Sequence, residues 1–312
     1  MKLVLKALVI VLLIISFTIS AHAQEGLWKE LSSKFVKLYQ QGRYAEAATV
    51  AEEALTVAEK TFGPNHPNTA TSLSNLAGLY YIQGKYADAE RLQKRALKIN
   101  EKVYSPNDQT VAGSLYALAK IYRAQSKYAE AEPLQKRSLA ILEKALGKNH
   151  PGLARPLYAL ADIYRGQKRY EEAEPLYKRS LAIVEKAFGK NYHQVAYPLR
   201  GLAQLYKEQG KYSEAEPLFK RSLARFEKAF GVDALIVALP LNNLGELYIA
   251  QGRYAEAEPL LKRALSIREK DLGPNHPDVA TTCENMAGLY RQIGKEDEAE
   301  ILEIRVRKIR SK

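Results

Sequence analysis

Three histidines stand directly before prolines, at His66, His150 and His276, and imidazoles in that number could ligate a metal or act as general bases. Glu256 and Glu258 are carboxylates of the kind an acid–base pair uses, and Cys283, the only cysteine, is of the nucleophile type. Catalysis, however, requires one unique constellation gathered in one cleft. The carboxylate pair recurs at Glu130 and Glu132, Glu172 and Glu174, and Glu214 and Glu216, which reads as a solvated helix face. The place held by the histidines is occupied elsewhere by Asp108, Tyr192 and Ala234. Cys283 lies within an apolar helical pattern, as a small buried hydrophobe would. There is no G-x-S-x-G, H-E-x-x-H or phosphate-cradling glycine loop. No catalytic residue, metal site or cofactor is assigned, and the chain reads as a non-enzyme.

What positions these groups is a unit that returns every 42 residues. Tyr44, Tyr86, Tyr128, Tyr170, Tyr212 and Tyr254 mark six copies, and Glu296 holds the seventh place. The alanine three residues on is constant: Ala47, Ala89, Ala131, Ala173, Ala215, Ala257 and Ala299. A period of this length signifies a solenoid. Each copy reads as two helices. The first, HPNTATSLSNLAGLYYIQG, opens at Pro67, sets Leu73, Leu76, Ala77 and Tyr80 on one face and ends at Gly84. The second, KYADAERLQKRALKINEKVY, aligns Ala89, Leu92, Ala96, Leu97 and Ile99 and pairs Glu90 with Lys94. Twelve of the 20 tyrosines belong to two such positions, the Tyr44 series and Tyr80, Tyr122, Tyr164, Tyr206, Tyr248 and Tyr290, so they read as core and not as a stacking platform for bases. The five Lys-Arg pairs from Lys94-Arg95 to Lys262-Arg263 read as a solvated face. Pro133, Pro175, Pro217 and Pro259 in second helices, and Pro156, Pro198 and Pro240 in first helices, must lie near a first turn or mark a bend.

The amino-terminal residues 1–23 read as a cleaved secretory signal peptide. Lys2 and Lys6 precede the 15-residue apolar run Ala7 to Ala21, and Ala21-His22-Ala23 is an A-x-A cleavage site. The run is shorter than the roughly 20 apolar residues of a membrane span, so no integral span is expected after cleavage. No lipobox cysteine follows it, which argues against a lipid anchor. The protein is therefore expected to be exported, periplasmic or secreted. With 46% hydrophobic residues the chain is too apolar for global disorder, and a lone cysteine leaves stability to packing. Loss of Lys2 and Lys6 takes the formal charge from +12 to +10, a balance that admits acidic protein partners, while export argues against nucleic acid.

The string NLAGLY..QGKYADAE..QKRAL resembles a tetratricopeptide repeat, and the longer period with EAEPL.KRAL.I.EK.LG..HPDVA is similar to the repeats of kinesin light chains. The resemblance covers Trp28 to about Arg310. It implies an all-α, right-handed superhelical solenoid of about seven antiparallel helix pairs over 24–312, with repeat cores at 28–62, 67–104, 109–146, 151–188, 193–230, 235–272 and 277–312. Kinesin light chains also carry a heptad coiled coil, which this sequence lacks, so the motor role does not transfer. Lys34, standing where other copies have Leu76 or Leu118, and Glu296 with the ending RVRKIRSK read as caps whose outer faces meet water.

By register with the family, the first helices line a concave groove for a peptide or protein partner. The groove positions are Tyr116, Lys120 and Arg123, then Arg155, Tyr158 and Arg165, then Tyr197, Arg200 and Lys207, with Asp162 the one acid among them. Asn242, Asn243 and Glu246 follow, the adjacent asparagines resembling those with which the family holds a ligand's backbone. This basic and aromatic stripe suits an extended acidic peptide, arginine forks meeting carboxylates and tyrosines covering apolar side chains. A structural subunit of an envelope assembly and an enzyme are the alternatives. The sequence leaves the oligomeric state open.

Overall fold

The computed structural model describes residues 23–311, and of the expected signal peptide only Ala23 falls within them. Fourteen helices in antiparallel pairs, without a strand among the described residues, make the architecture all-α. Two compact units are formed, divided after Gly147. The first contains α1 (23–40), α2 (Tyr44–Phe62), α3 (Pro67–Ile82), α4 (Tyr86–Val103), α5 (Gln109–Ala124) and α6 (Tyr128–Leu146). The second contains α7 (Ala154–Gly166), α8 (Tyr170–Phe188), α9 (Ala196–Glu208), α10 (Tyr212–Phe230), α11 (Leu235–Ala250), α12 (Tyr254–Leu272), α13 (Pro277–Gln292) and α14 (Glu296–Arg310). Among the described residues no helix is long and apolar enough to cross a membrane.

The histidines begin helices. The Nδ1 atoms of His66, His150 and His276 accept the backbone N–H two residues on, from Asn68, Gly152 and Asp278, each at 3.1 Å. Asp108 does the same with its carboxylate, 2.7 Å from the Thr110 nitrogen. A side-chain acceptor at this place satisfies one of the four backbone donors that a helix start leaves unpaired. Imidazole and carboxylate are interchangeable here because both offer an in-plane acceptor at the same reach.

The prolines act in two ways. In α7 and α9, Pro156 and Pro198 offer no N–H to the carbonyls four residues back, and these helices are entered through 3-10 turns, Pro151–Leu153 and His193–Val195. All three first helices bearing Pro156, Pro198 or Pro240 open on a three-residue hydrogen bond, Leu153 N to His150 O, Val195 N to Tyr192 O and Val237 N to Ala234 O, at 3.0, 3.1 and 2.8 Å. α5, which contains no proline, and α3, whose proline is its first residue, instead open on four-residue bonds, Ala112 N to Asp108 O and Ala70 N to His66 O, while α13 makes both kinds. In second helices the proline is the sixth residue, beyond the first turn, and the helix continues through it. The carbonyls thereby released belong to the exposed residues Ala129, Glu171, Ser213 and Ala255, where water can bond them.

Each first helix packs on the second helix of its own repeat and on the second helix before it within the same unit. The constant alanines Ala47, Ala89, Ala131, Ala173, Ala215, Ala257 and Ala299 are all fully buried at these crossings, and Cys283 is buried among Val279, Ala280, Val306 and Ile309. The Tyr44 series departs from the core reading: Tyr44 is 37% exposed, and Tyr86, Tyr128, Tyr170, Tyr212 and Tyr254 are half-buried at the repeat edge. One crossing depends on glycine. A Cβ on Gly201 would lie 2.4 Å from Cε1 of Tyr177, a ring with no exposed surface, and 2.9 Å from Cε2 of Tyr158. Gly201→Ala is therefore expected to lose about 2 kcal/mol by overpacking. Gly113→Ala, in a helix interior with nothing within 4 Å of the added atom, is expected to gain about 0.5–1 kcal/mol. Chemical denaturation of the two variants checks the contrast.

Candidate functional site

Charged residues expected to be solvated instead join neighbouring repeats. In each Lys-Arg pair the lysine turns to the glutamate four residues before it, as Lys94 does to Glu90, Lys136 to Glu132 and Lys220 to Glu216, at 2.6, 2.5 and 2.7 Å. In four of the five pairs the arginine reaches back one repeat. Arg95 meets Glu59 at 2.5 Å, Arg137 meets Glu101 at 2.5 Å, Arg221 meets Glu185, and Arg263 meets Glu227 at 2.7 Å. Arg95, Arg263 and Arg305 also donate to the loop carbonyls of Pro64, Val232 and Pro274.

Within the second unit the second glutamate of each recurrent pair is likewise a link. Glu174, Glu216 and Glu258 accept the hydroxyls of Tyr206, Tyr248 and Tyr290, 32 residues on, at 2.9, 3.2 and 3.3 Å. Cations at the turns cover these rings, with Arg253 4.1 Å above Tyr248 and Lys295 5.2 Å above Tyr290. The first glutamates of the pairs, Glu130, Glu172, Glu214 and Glu256, are exposed as expected.

Within the second unit the first helices touch laterally, α7 with α9, α9 with α11 and α11 with α13, and side chains bridge them as a polar ladder. Arg200 Nη2 donates to the Tyr158 hydroxyl at 2.6 Å. Arg165 Nη1 lies 2.5 Å from Glu208, and its Nε donates to the Tyr177 hydroxyl at 3.3 Å. Tyr177 in turn donates to Asp162 Oδ1 at 2.5 Å. Lys207 pairs with Glu246 at 2.5 Å. The other oxygen of Glu246 accepts from Asn242 and from Asn285, both at 2.7 Å.

Burial pulls the Arg165 guanidinium down, but Asp162, Tyr177 and Glu208 outweigh that and hold it above its ordinary value. Burial and then Asp162 push the Tyr177 hydroxyl well up, so it remains a proton donor. The expectation of solvent exposure fails at three positions: Asp162, Asn242 and Asn243 are 4%, 1% and 7% exposed. Nor is Asp162 the one acid of the third to fifth repeats, since Glu208 neutralises Arg165, while the expected Glu246 of the sixth neutralises Lys207.

What remains on this face is specific. Arg155 is exposed and makes no ion pair or hydrogen bond among the described residues, and Arg200 engages one of its nitrogens with Tyr158. Tyr158 and Tyr197 are half-exposed beside them, Tyr197 resting edge-on against Phe226 at 5.2 Å. In the first unit, α5 carries half-buried Tyr116 and Arg123, and Lys120 lies 4.0 Å above the ring of Tyr81 on α3. Such an arrangement can grip carboxylates by guanidinium forks and cover apolar side chains with rings.

Glu208, Asn285 and Tyr177 were not expected here. Asn285 lies 42 residues after Asn243, so the register points to it, and Glu208 is an acid where other copies have Ile82, Ala124, Gly166 and Ala250. Tyr177 follows buried Gln93 and Gln135 in the same series, and nothing in its own segment marks its reach to Asp162.

A sequence profile of the tetratricopeptide repeat matches residues 37–102, 110–186, 156–228 and 236–312. No curated protein sequence matches significantly. Among solved structures, BtubC (BKLC) from P. vanneervenii is 25% identical, with 73% of this chain and 91% of that one covered and a TM-score of 0.57. A putative kinesin light chain from Podosopora anserina with nearly identical TPR-like repeats is 26% identical, with 66% and 97% covered and a TM-score of 0.52. A Rap protein complexed with competence and sporulation factor shares the fold, with 14% identity, 91% and 98% coverage and a TM-score of 0.56.

Proposed function

Because the chain belongs to the tetratricopeptide repeat family, we propose that it is an exported, non-catalytic scaffold that holds an extended acidic peptide on its first helices. The fold is one that serves protein–protein interaction, and among its structural neighbours is the Rap protein complexed with competence and sporulation factor. The observation that carries the acidic preference is the pair Arg155 and Arg200 beside Tyr158 and Tyr197 on α7 and α9, cations that the ladder leaves with unfilled donors. Export is supported by the leader at residues 1–23 and places the partner in the periplasm or outside the cell.

The test compares a Glu- and Tyr-containing decapeptide with its Gln counterpart by fluorescence anisotropy. The acidic peptide is expected to bind at least about tenfold more tightly, the worth of roughly 1.4 kcal/mol. Arg155→Glu with Arg200→Glu removes that preference while the helicity stays that of the parent, the melting temperature falling only by the worth of the Arg200–Tyr158 bond. Equal binding of the two peptides, or an unchanged preference in the variant, overturns the reading. A stoichiometric complex with an envelope protein, insensitive to these two charges, would instead favour the structural-subunit alternative. Amino-terminal sequencing of the protein recovered from the periplasm or the medium should begin at Gln24.

A further inference from the structure

Helix α14 breaks the charge pattern that every other second helix from α4 onward obeys. Where α4, α6, α8, α10 and α12 place the lysine that pairs with a glutamate four residues earlier, α14 has Ile304 after Glu300. Ile301 stands where α6, α8, α10 and α12 have proline. These two isoleucines are 65% and 51% exposed, the largest apolar exposures among the described residues apart from Val232. The opposite face of the helix is fully engaged: Ala299, Val306 and Ile309 are buried against α13 and α12. A helix buried on one side and aliphatic on the other has a second surface to cover.

Its charges indicate by what. Asp297, Ile301, Ile304 and Lys308 follow one another at intervals of four, three and four residues, the spacing of a helix–helix seam, and all four are exposed. The stripe is its own complement when reversed. Lay a second α14 antiparallel, with the two-fold axis passing between residues 302 and 303: each Asp297 then faces Lys308 of the other copy, and each Ile301 faces Ile304. The flanking exposed charges agree, since Glu300 comes beside Arg307 of the other copy. A parallel arrangement would oppose Asp297 to Asp297 and Lys308 to Lys308. Neither Asp297 nor Lys308 has an ion-pair partner within its own chain among the described residues.

We infer that α14 is a homodimerisation helix, which pairs antiparallel with α14 of a second copy through the Asp297, Ile301, Ile304, Lys308 seam. The inference does not rest on the peptide-binding reading, since it concerns a different surface. A two-fold, self-complementary contact is the commonest way a soluble chain closes into an oligomer. A 15-residue helix is only about 22 Å long, so the interface falls at the small end of specific contacts and the dimer is concentration-dependent.

Sedimentation velocity on the full chain, expressed with its leader and processed by the host, reads the state directly. The parent is expected to shift from monomer to dimer as concentration rises toward about 1 mM, the weak limit of a measurable pair. Ile304→Glu remains monomeric throughout, with helicity unchanged because the side chain is exposed. Asp297→Lys alone and Lys308→Asp alone each set like charges against each other at both ends of the seam and weaken self-association at least about tenfold. An equimolar mixture of those two variants regains dimer, because the lysine introduced by the first then meets the aspartate introduced by the second, while the native Lys308 of the first still meets the native Asp297 of the second. A parent that stays monomeric overturns the inference. So does a dimer retained by Ile304→Glu, single-charge variants that associate like the parent, or a mixture that associates no better than its components.

Discussion

Arg165→Met is expected to destabilise the second unit by about 1.5–3 kcal/mol, the worth of the charged hydrogen bonds that the half-buried guanidinium makes. Asp162 is 4% exposed on a first helix, and Arg165, one turn later, is a cation 3.7 Å from its carboxylate. The Tyr177 hydroxyl donates to the carboxylate but brings no charge. Removing the guanidinium therefore takes away one cation beside Asp162 and the bond to the Tyr177 hydroxyl, and also releases Glu208, although Glu208 is exposed enough to rehydrate. Asp162→Asn in the same chain should restore part of the loss, because an amide oxygen still accepts from Tyr177 and the buried charge beside the vacated guanidinium is gone. Urea denaturation of the two single variants and the double variant gives the coupling, expected at about 2 kcal/mol. Additive single effects would show that Asp162 and Arg165 are not a unit. Arg165→Glu would set a third carboxylate beside Asp162 and Glu208 and destabilise this surface further. Arg155 is the groove cation whose reversal leaves the ladder in place, and reversal of Arg200 gives up only its bond to the Tyr158 hydroxyl.

The second expected result is a loss of stability in acid that tracks the inter-repeat glutamates. Hydrogen bonds from Arg253 and Lys220 hold Glu216 down to about 2, against an ordinary value of 4.5. At Glu90 burial pushes upward, but Lys94 and Lys127 prevail and its value also falls to about 2. Glu174 and Glu258 are lowered by their bonds to Lys178 and Lys262. Each of these groups binds its proton more readily in the unfolded chain than in the folded one. Their contribution is thus fully present above about pH 4.5 and disappears as pH falls toward 2. Glu216→Gln should cost about 1.5 kcal/mol at neutral pH, as charge-assisted bonds do. That cost should shrink to nearly nothing at pH 2, where the parent's carboxylate takes up its proton. A cost that stays constant across this range would mean that the side chain acts by packing and not by charge.

The helices were legible because their signals are local and repeated. The tyrosine and alanine positions mark second-helix starts, His-Pro marks first-helix starts, and a glycine or its substitute closes each first helix. Ser126 and Lys168, which take that closing place with φ of 58° and 60°, show that the turn persists even where an L-residue must strain to make it. The charges were misread for a physical reason. A glutamate four residues before a lysine looks complete on a single helix, and only the neighbouring repeat reveals that the same carboxylate also receives a tyrosine hydroxyl. Asn242 and Asn243 illustrate the converse. Their polarity and register suggested a solvated groove, yet an amide can be buried without cost when every donor and acceptor is met, and Asn242 meets Glu246 and Asn285. Arg155 was found by position alone, because nothing in its own repeat competes for it.

The stitches between repeats have an evolutionary corollary. Arg95 to Glu59, Arg221 to Glu185, Arg263 to Glu227 and Arg305 to Glu269 all span 36 residues, less than one period, and each needs nothing beyond two consecutive copies. A duplication of one 42-residue segment would thus supply a matching glutamate, arginine and loop carbonyl at both new junctions without any compensating substitution. Lengthening such a chain is a copying event and not a redesign, while a single point change at one of these arginines loosens one joint and leaves the remainder of the array intact.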